Sequence, residues 1–351
     1  MLILSGCGTV NPTDRVNEYD FSSFDAIDLS TVEPQRVSPS EMTMSWPYGM
    51  CMVSDSIMAL KDSRAGEKQV WLLNVNSGRF AQCLDYGQGP KECFGITNIW
   101  TSDGYLFAGG YYDHKVVKIA VDPDSLVADA ECISVMPEAF LKIVALSDSS
   151  ILYAPSMVFD VRYLLARTDG TIIDTIKEFH IMDRLPEGLR PQNSMSQMQI
   201  ALSPDKRHLV SSNMAWPVTE IYSVPFDKTI VLNGPVNIDS KVKAVSNEVG
   251  TSYVQDRSWS MFFGISACND GFALGFVGRE LKDREDYNKG PESILLFDWE
   301  GNPTKMLKLA AEIVDFTIDY NSMTLYALVD DSEPMVVKYP LPVSYDELWK
   351  S

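Results

Sequence analysis

The sequence predicts an all-β chain folded as one six-bladed β-propeller, with four-stranded antiparallel blades and a ring closed by an N-terminal strand. Three observations carry that prediction. A strand–turn–strand–loop–strand–hairpin–strand unit recurs six times along the 351 residues. No long segment carries an apolar stripe at helical spacing, so helices are not the building blocks. The length also fits. Six blades of about 45–55 residues fill a body of roughly 320, although length alone would equally allow two average domains.

Each unit is read from its most regular part outward. A short apolar strand follows a polar turn at Asp55 to Leu60, Asp103 to Ala108, Ser149 to Ala154, Lys206 to Val210, Asp270 to Leu274 and Asn321 to Ala327. A partner strand comes next: Val70 to Leu73, Val116 to Ile119, Arg162 to Leu165, Glu220 to Val224, Ile294 to Phe297 and Val336 to Tyr339. Turn signals such as Ser77-Gly78, Asp169-Gly170 and Glu300-Gly301 then lead into an outer strand. Ahead of each unit's first-named strand lies one more apolar stretch: Tyr48 to Val53, Phe94 to Trp100, Phe140 to Leu146, Met198 to Leu202, Met261 to Ala267 and Ile313 to Ile318. The sixth unit lacks an outer strand, because only Pro340 to Ser351 follow Tyr339. The lone alternating stretch Phe24 to Leu29 is expected to supply it, since a closed ring leaves only short, protected edges. Two β-sandwiches with similar strand spacing are the alternative, and the unvarying order of the unit favours the propeller.

Charge and rare residues narrow the function classes. There are 29 Lys and Arg against 48 Asp and Glu, a formal net charge of −19. Such a chain is a poor binder of nucleic acid or anionic lipid. Three His (His114, His180, His208) and six scattered Cys argue against a His-rich metal site and a disulfide scaffold. Cys51, Cys83, Cys93, Cys132 and Cys268 show no zinc spacing and read as small buried residues.

The N-terminal Leu4-Ser5-Gly6-Cys7 resembles a bacterial lipoprotein box: an apolar residue, two small ones, then the Cys that carries lipid. Residues 1–20 are therefore read as a signal remnant, its start placed too late, and a flexible polar tether, with 21–351 as a single propeller domain. Lipidation of Cys7 would put the body in the cell envelope, on the outer membrane, facing the periplasm or the surface, with membrane contact through the anchor only.

Tyr86-Gly87-Gln88-Gly89-Pro90-Lys91-Glu92-Cys93-Phe94 resembles the G-x-G-P-x-E-F signature of six-bladed, TolB-like propeller lipoproteins of gut anaerobic bacteria, with Cys93 inserted before the aromatic. The ending Ile313 to Asp319, then Leu325-Tyr326-Ala327, is similar to that family's last blade. The resemblance implies fold and compartment far more than activity. Read from the residues, Gly87, Gly89 and Pro90 make a tight crossing between blades, the glycines permitting the turn and Pro90 fixing its φ. Glu92 then accepts hydrogen bonds from that loop or faces the central channel.

No motif assigns catalysis, a metal or a cofactor. There is no G-x-S-x-G elbow, and Asp122-Pro123-Asp124 reads as a hairpin turn rather than a Ca²⁺ loop. Binding is the favoured reading, through loops joining the second and third strands on one face. In blade five that loop is long, Gly278 to Glu292, and includes Arg284 and Tyr287. In blade four it holds Asn213 and Trp216, the latter a candidate to stack on a sugar ring or an apolar group; blade two contributes Tyr111 and Tyr112. The expected partner is a glycan, a peptide or an envelope protein. The alternative is a hydrolase or lyase using paired carboxylates at the channel mouth.

Overall fold

The computed structural model describes residues 15–62, 66–180, 185, 187, 190–193, 197–247, 250–283, 286, 289–330 and 333–350. Six antiparallel sheets follow one another along the chain. Blade one is Pro47–Met52, Ile57–Asp62, Lys68–Asn74 and Phe80–Asp85. Blade two is Ile96–Ser102, Tyr105–Gly110, Lys115–Val121 and Ala128–Val135; blade three is Phe140–Ser147, Ser150–Pro155, Tyr163–Arg167 and Ile172–Ile176. Blade four is Met198–Leu202, His208–Asn213, Val218–Ser223 and Thr229–Asn233; blade five is Trp259–Ala267, Gly271–Glu280, Ser293–Asp298 and Pro303–Lys308. Blade six has Asp315–Asp319, Thr324–Asp330 and Pro334–Pro340, and takes Gln35–Arg36 as its outer strand. The first strand of every blade touches the first strands of both neighbours, so the six form a closed inner ring.

The second and third strands are buried along most of their length rather than alternating, as in Ile57–Asp62, which is buried throughout. The reason is geometric: each blade is covered on both faces by its neighbours, so neither side of the pleat meets water. Inter-blade cores follow. Cys83, Cys93, Leu106, Val117 and Ile119 pack together between blades one and two, and Met58, Leu60, Tyr326 and Leu328 pack between six and one.

An N-terminal strand does close the ring, but Phe24 to Leu29 is not that strand. Asp25–Asp28 runs parallel to Pro303–Lys308 as a fifth strand of blade five, whereas Gln35–Arg36 pairs antiparallel with Pro334–Pro340. Arg15–Glu18, within the expected tether, likewise adds a parallel fifth strand to blade four. Three strands as short as these carry little pattern of their own, so periodicity could not separate the one that closes the ring from the two that strap it. The arm is held by apolar insertion. Tyr19 and Phe24 pack edge-on against Phe297 with ring centroids 5.0 and 5.3 Å away, and the Tyr19 hydroxyl donates to the Gly234 carbonyl at 2.9 Å. A hairpin of Val242–Asn247 and Gly250–Gln255, not anticipated from the sequence, lies between blades four and five. Among the described residues no helix is long and apolar enough to cross a membrane.

Candidate functional site

The inner ring surrounds a cavity of about 430 Å³ lined by all six first strands. Its two ends differ chemically. Met52, Thr101, Leu202, Ala267 and Ile318 line one end. The other holds Lys61, Asn98, Lys142 and Asp315. Asn98 pairs with Gly109, Lys142 with Ala154 and Asp315 with Leu328, near the ends of the second strands. This polar end therefore lies on the side of the loops that join second and third strands.

Four of the six first strands carry a one-residue bulge at this level. The register shifts between Pro47 and Met50, Ile96 and Asn98, Phe140 and Lys142, and Phe262 and Ile265. A bulge bends a strand and re-aims the side chains beside it. One bulge presents the Gly49 N–H to Asp315 Oδ2 at 2.6 Å; the Phe316 N–H reaches Oδ1 at 2.8 Å. On the adjacent first strand of blade five Gly264 has φ +81°, and a Cβ there would stand 2.7 Å from Asp315 Oδ1, so no larger residue fits without displacing the carboxylate.

Burial sets the charges of this group. It raises the Asp315 carboxyl to about 6, against the opposing pull of its two backbone donors and of Lys142 and Lys61. Burial also lowers the Lys142 ammonium to about 8, partly offset by Asp315. Lys61 is driven well below the usual lysine range by burial and by Lys142. Its Nζ donates to the Thr97 and Ile96 carbonyls at 2.8 and 3.3 Å and lies 3.5 Å from the centre of the Tyr48 ring. Cys51 also lines the cavity, but burial pushes its thiol up to about 12, so it is no thiolate nucleophile. Asp315 is the single acid among the described residues that line this cavity, so no second carboxylate faces it there. Sequence reasoning passed over Lys142 and Asp315. The available signal was a charge in the middle of an inner-strand stretch, as in Phe140-Leu141-Lys142-Ile143.

On the face at the polar end, four rings form a continuous row across blades one and two. Phe94 contacts Tyr86 at 5.0 Å and Tyr112 at 4.9 Å between centroids, and Tyr112 meets Tyr111 at 5.1 Å. Tyr86 is 53% exposed and Tyr112 64%. The crossing beneath them is built as the G-x-G-P motif suggested, with one physical correction. Neither Gly87 nor Gly89 has positive φ. They are glycines because the Glu92 carboxylate occupies their side-chain space, 2.1 and 2.8 Å from where a Cβ would lie. Glu92 Oε2 accepts from the Gly89 N–H at 2.6 Å, and Lys115 Nζ donates to the Gln88 and Gly89 carbonyls at 2.7 Å each. Pro90 lies within this crossing.

The other expected residues do not join this row. Trp216 is fully buried in the core shared by blades four and five, which removes its ring from any ligand face. Asn213 ends a strand and is buried; its Oδ1 accepts from the Ala215 and Trp216 N–H groups at 2.9 and 3.1 Å, a turn that carries the Trp inward. Gly278 to Glu280 belong to a strand rather than to the long loop of blade five, and Arg284, Tyr287 and Cys7 lie outside the described residues. His208 stacks on Trp299 at 4.9 Å, a packing role. His180 instead joins a buried ion network. Its Nδ1 is 2.8 Å from Glu220 Oε1, and Arg162 Nη2 donates to Glu220 Oε2 at 2.6 Å and to Ser211 at 3.1 Å. Among the described residues no group of three or more His, Cys, Asp and Glu could hold a metal ion.

Six blades around a channel with a charged end, beneath an aromatic face, define a six-bladed β-propeller. A family model described as TolB-like 6-blade propeller-like matches residues 28–321, and the chain belongs to that family. Similar solved structures include an exported protein, so named, of Bacteroides fragilis, at 11% identity and TM-score 0.56, covering 92% of this chain and 98% of that one. Two further matches are a gluconolactonase of Xanthomonas campestris, at 11% identity and TM-score 0.47 over 89% and 96% of the two chains, and the Cps50 (Swd1) β-propeller domain of Myceliophteria thermophila, at 9% and 0.45 over 87% and 99%. The comparison with curated proteins finds no match.

Proposed function

We propose that the chain is an exported binding propeller, lipid-anchored through Cys7, that presents the face of blades one and two to a glycan, peptide or envelope-protein partner. The observation that carries the reading is the row Tyr86–Phe94–Tyr112–Tyr111, in which Tyr86 and Tyr112 are exposed and Phe94 and Tyr111 half-buried. Aromatic rings left in water on a rigid scaffold offer large contact area at low conformational cost, which suits sugar rings and apolar partner groups. The lipobox-like Leu4 to Cys7 and the exported relative of the same fold support the compartment. Arg284 and Tyr287, in the second-to-third-strand loop of blade five by chain order, would extend the surface on the same side.

A glycan array and an envelope pull-down with the full chain test this. Tyr86→Ala and Tyr112→Ala should each weaken the detected interaction roughly tenfold with an unchanged melting temperature. An interaction indifferent to both substitutions would place the binding surface elsewhere. Mass spectrometry of the membrane fraction should find diacylglycerol on Cys7; unmodified soluble protein would remove the anchor.

A further inference from the structure

The chain carries a net charge of −19, yet the polar end of its channel has the opposite sign: two ammonium groups against one carboxylate. The three are not equivalent. Asp315 has both oxygens occupied by backbone donors. Lys61 has two carbonyls and a ring. Lys142 has no hydrogen-bond acceptor among the described residues, and no ion pair within 4.0 Å joins either lysine to Asp315 among them. Lys142 is half-buried and lines the cavity, so its ammonium is open to a ligand that enters there. Lys142 also stands beside one of the four bulges that shape this end of the ring, so local backbone irregularity coincides with the ammonium that no described residue accepts from.

We propose that the polar end of the channel is a binding site for a small carboxylate of the size of a sugar acid, with Lys142 Nζ contacting the carboxylate and Lys61 adding positive field. Asn98 and Gln199 border the same space and offer polar edges to hydroxyl groups. The cavity of about 430 Å³ lies within the usual range for small-ligand sites. Asp315 restricts the net excess to one positive charge, which suits a monoanion over a dianion. This site is separate from the aromatic face, and either can fail alone.

The test is calorimetric titration of the full chain at low ionic strength with sodium glucuronate, glucose as the neutral match, and sulfate as a dianion. Glucuronate should bind, and glucose and sulfate should bind at least about tenfold more weakly. Lys142→Met should reduce glucuronate affinity about tenfold or more, and Lys142→Arg should restore most of it. Tyr86→Ala and Tyr112→Ala should leave it unchanged. Should Lys142→Met fail to fold, the wild-type pH series decides. The titrating or charged groups facing Lys142 across the cavity are Lys61, Asp315, Tyr48 and Cys51, and affinity should fall as pH rises past about 8, where Lys142 loses its proton. Absence of glucuronate binding, equal binding of glucose, tighter binding of sulfate, a Lys142→Met variant that binds as wild type, or affinity that does not fall past that pH would each overturn the proposal.

Discussion

Blades four to six and blades one to three handle their outer edges in different ways. The N-terminal arm straps the first group: Arg15–Glu18 covers blade four, Asp25–Asp28 covers blade five, and Gln35–Arg36 completes blade six. The covered edge of blade four, Thr229–Asn233, reads TIVLN and carries no charge. The edges of blades one to three are bare, and each carries acid: Asp85, Asp129 with Glu131, and Asp174. An unpaired edge offers free N–H and C=O groups to any other strand, and charge discourages such pairing. The comparison teaches that every bare edge here is charged while a covered edge need not be: that of blade four carries no charge, those of blades five and six keep Lys305, Lys308 and Lys338, and the new edges made by the arm carry Arg15, Glu18, Asp25 and Asp28. At the seam between the two groups, Arg162 of blade three reaches Glu220 of blade four, both nearly fully buried.

Removing the arm should break the comparison most severely. Deleting residues 1–38 strips blade six of its outer strand and takes Tyr19, Phe24 and Leu29 out of the inter-blade cores. The expected result is loss of cooperative unfolding by calorimetry, and a truncated chain that melts like the full one would refute the strap.

Next comes the seam. Glu220→Ala leaves Arg162 buried without its carboxylate and should cost about 3–5 kcal/mol in urea unfolding. The exposed Lys91–Asp129 pair at 2.6 Å is the control, and Lys91→Ala should change little.

The same network gives the seam a pH dependence. Arg162 and His180 hold the Glu220 carboxyl down to about 2 despite its burial. A depressed carboxylate stabilises the fold above its unfolded value and loses that contribution as pH falls, here from about 4.5 toward 2. His180 moves the other way. Burial opposes its charging, but Glu220 and then Glu178 outweigh it and raise the imidazole above its usual value. Its contribution is complete below about 6.5 and fades as pH climbs through the raised value. The stability gap between wild type and His180→Gln should therefore be larger at pH 6 than at pH 9; an equal gap would show that the imidazolium is not what Glu220 holds.

The smallest effect on folding is expected at a bare edge. Asp129→Val with Glu131→Val should leave the melting temperature near wild type but introduce concentration-dependent association in sedimentation. The same pair of changes with no new association would mean that the charges do not guard the edge.

Much of this was legible in residues. The six inner-strand stretches named from the sequence overlap the six first strands, missing one or two residues at the ends of most, because a covered blade needs continuous apolar runs and those runs are visible. The Gly87–Glu92 crossing was legible as a loop, though its glycines answer to a carboxylate's bulk rather than to backbone handedness. Tyr111 and Tyr112 could be picked out as loop aromatics, but their union with Tyr86 and Phe94 depends on two chain segments meeting at a blade boundary. Trp216 misled for the converse reason: exposure is a property of the neighbours, and an Asn213 turn folds that loop into the core.

The sequence by itself determined the number of blades, their order and the all-β class, since local periodicity and turn chemistry are written residue by residue. Only the tertiary structure decided which N-terminal segment closes the ring, and that Lys61, Lys142 and Asp315, drawn from blades one, three and six, share one cavity. Those outcomes depend on contacts between residues up to hundreds of positions apart, and distance along the chain carries no trace of distance across a ring.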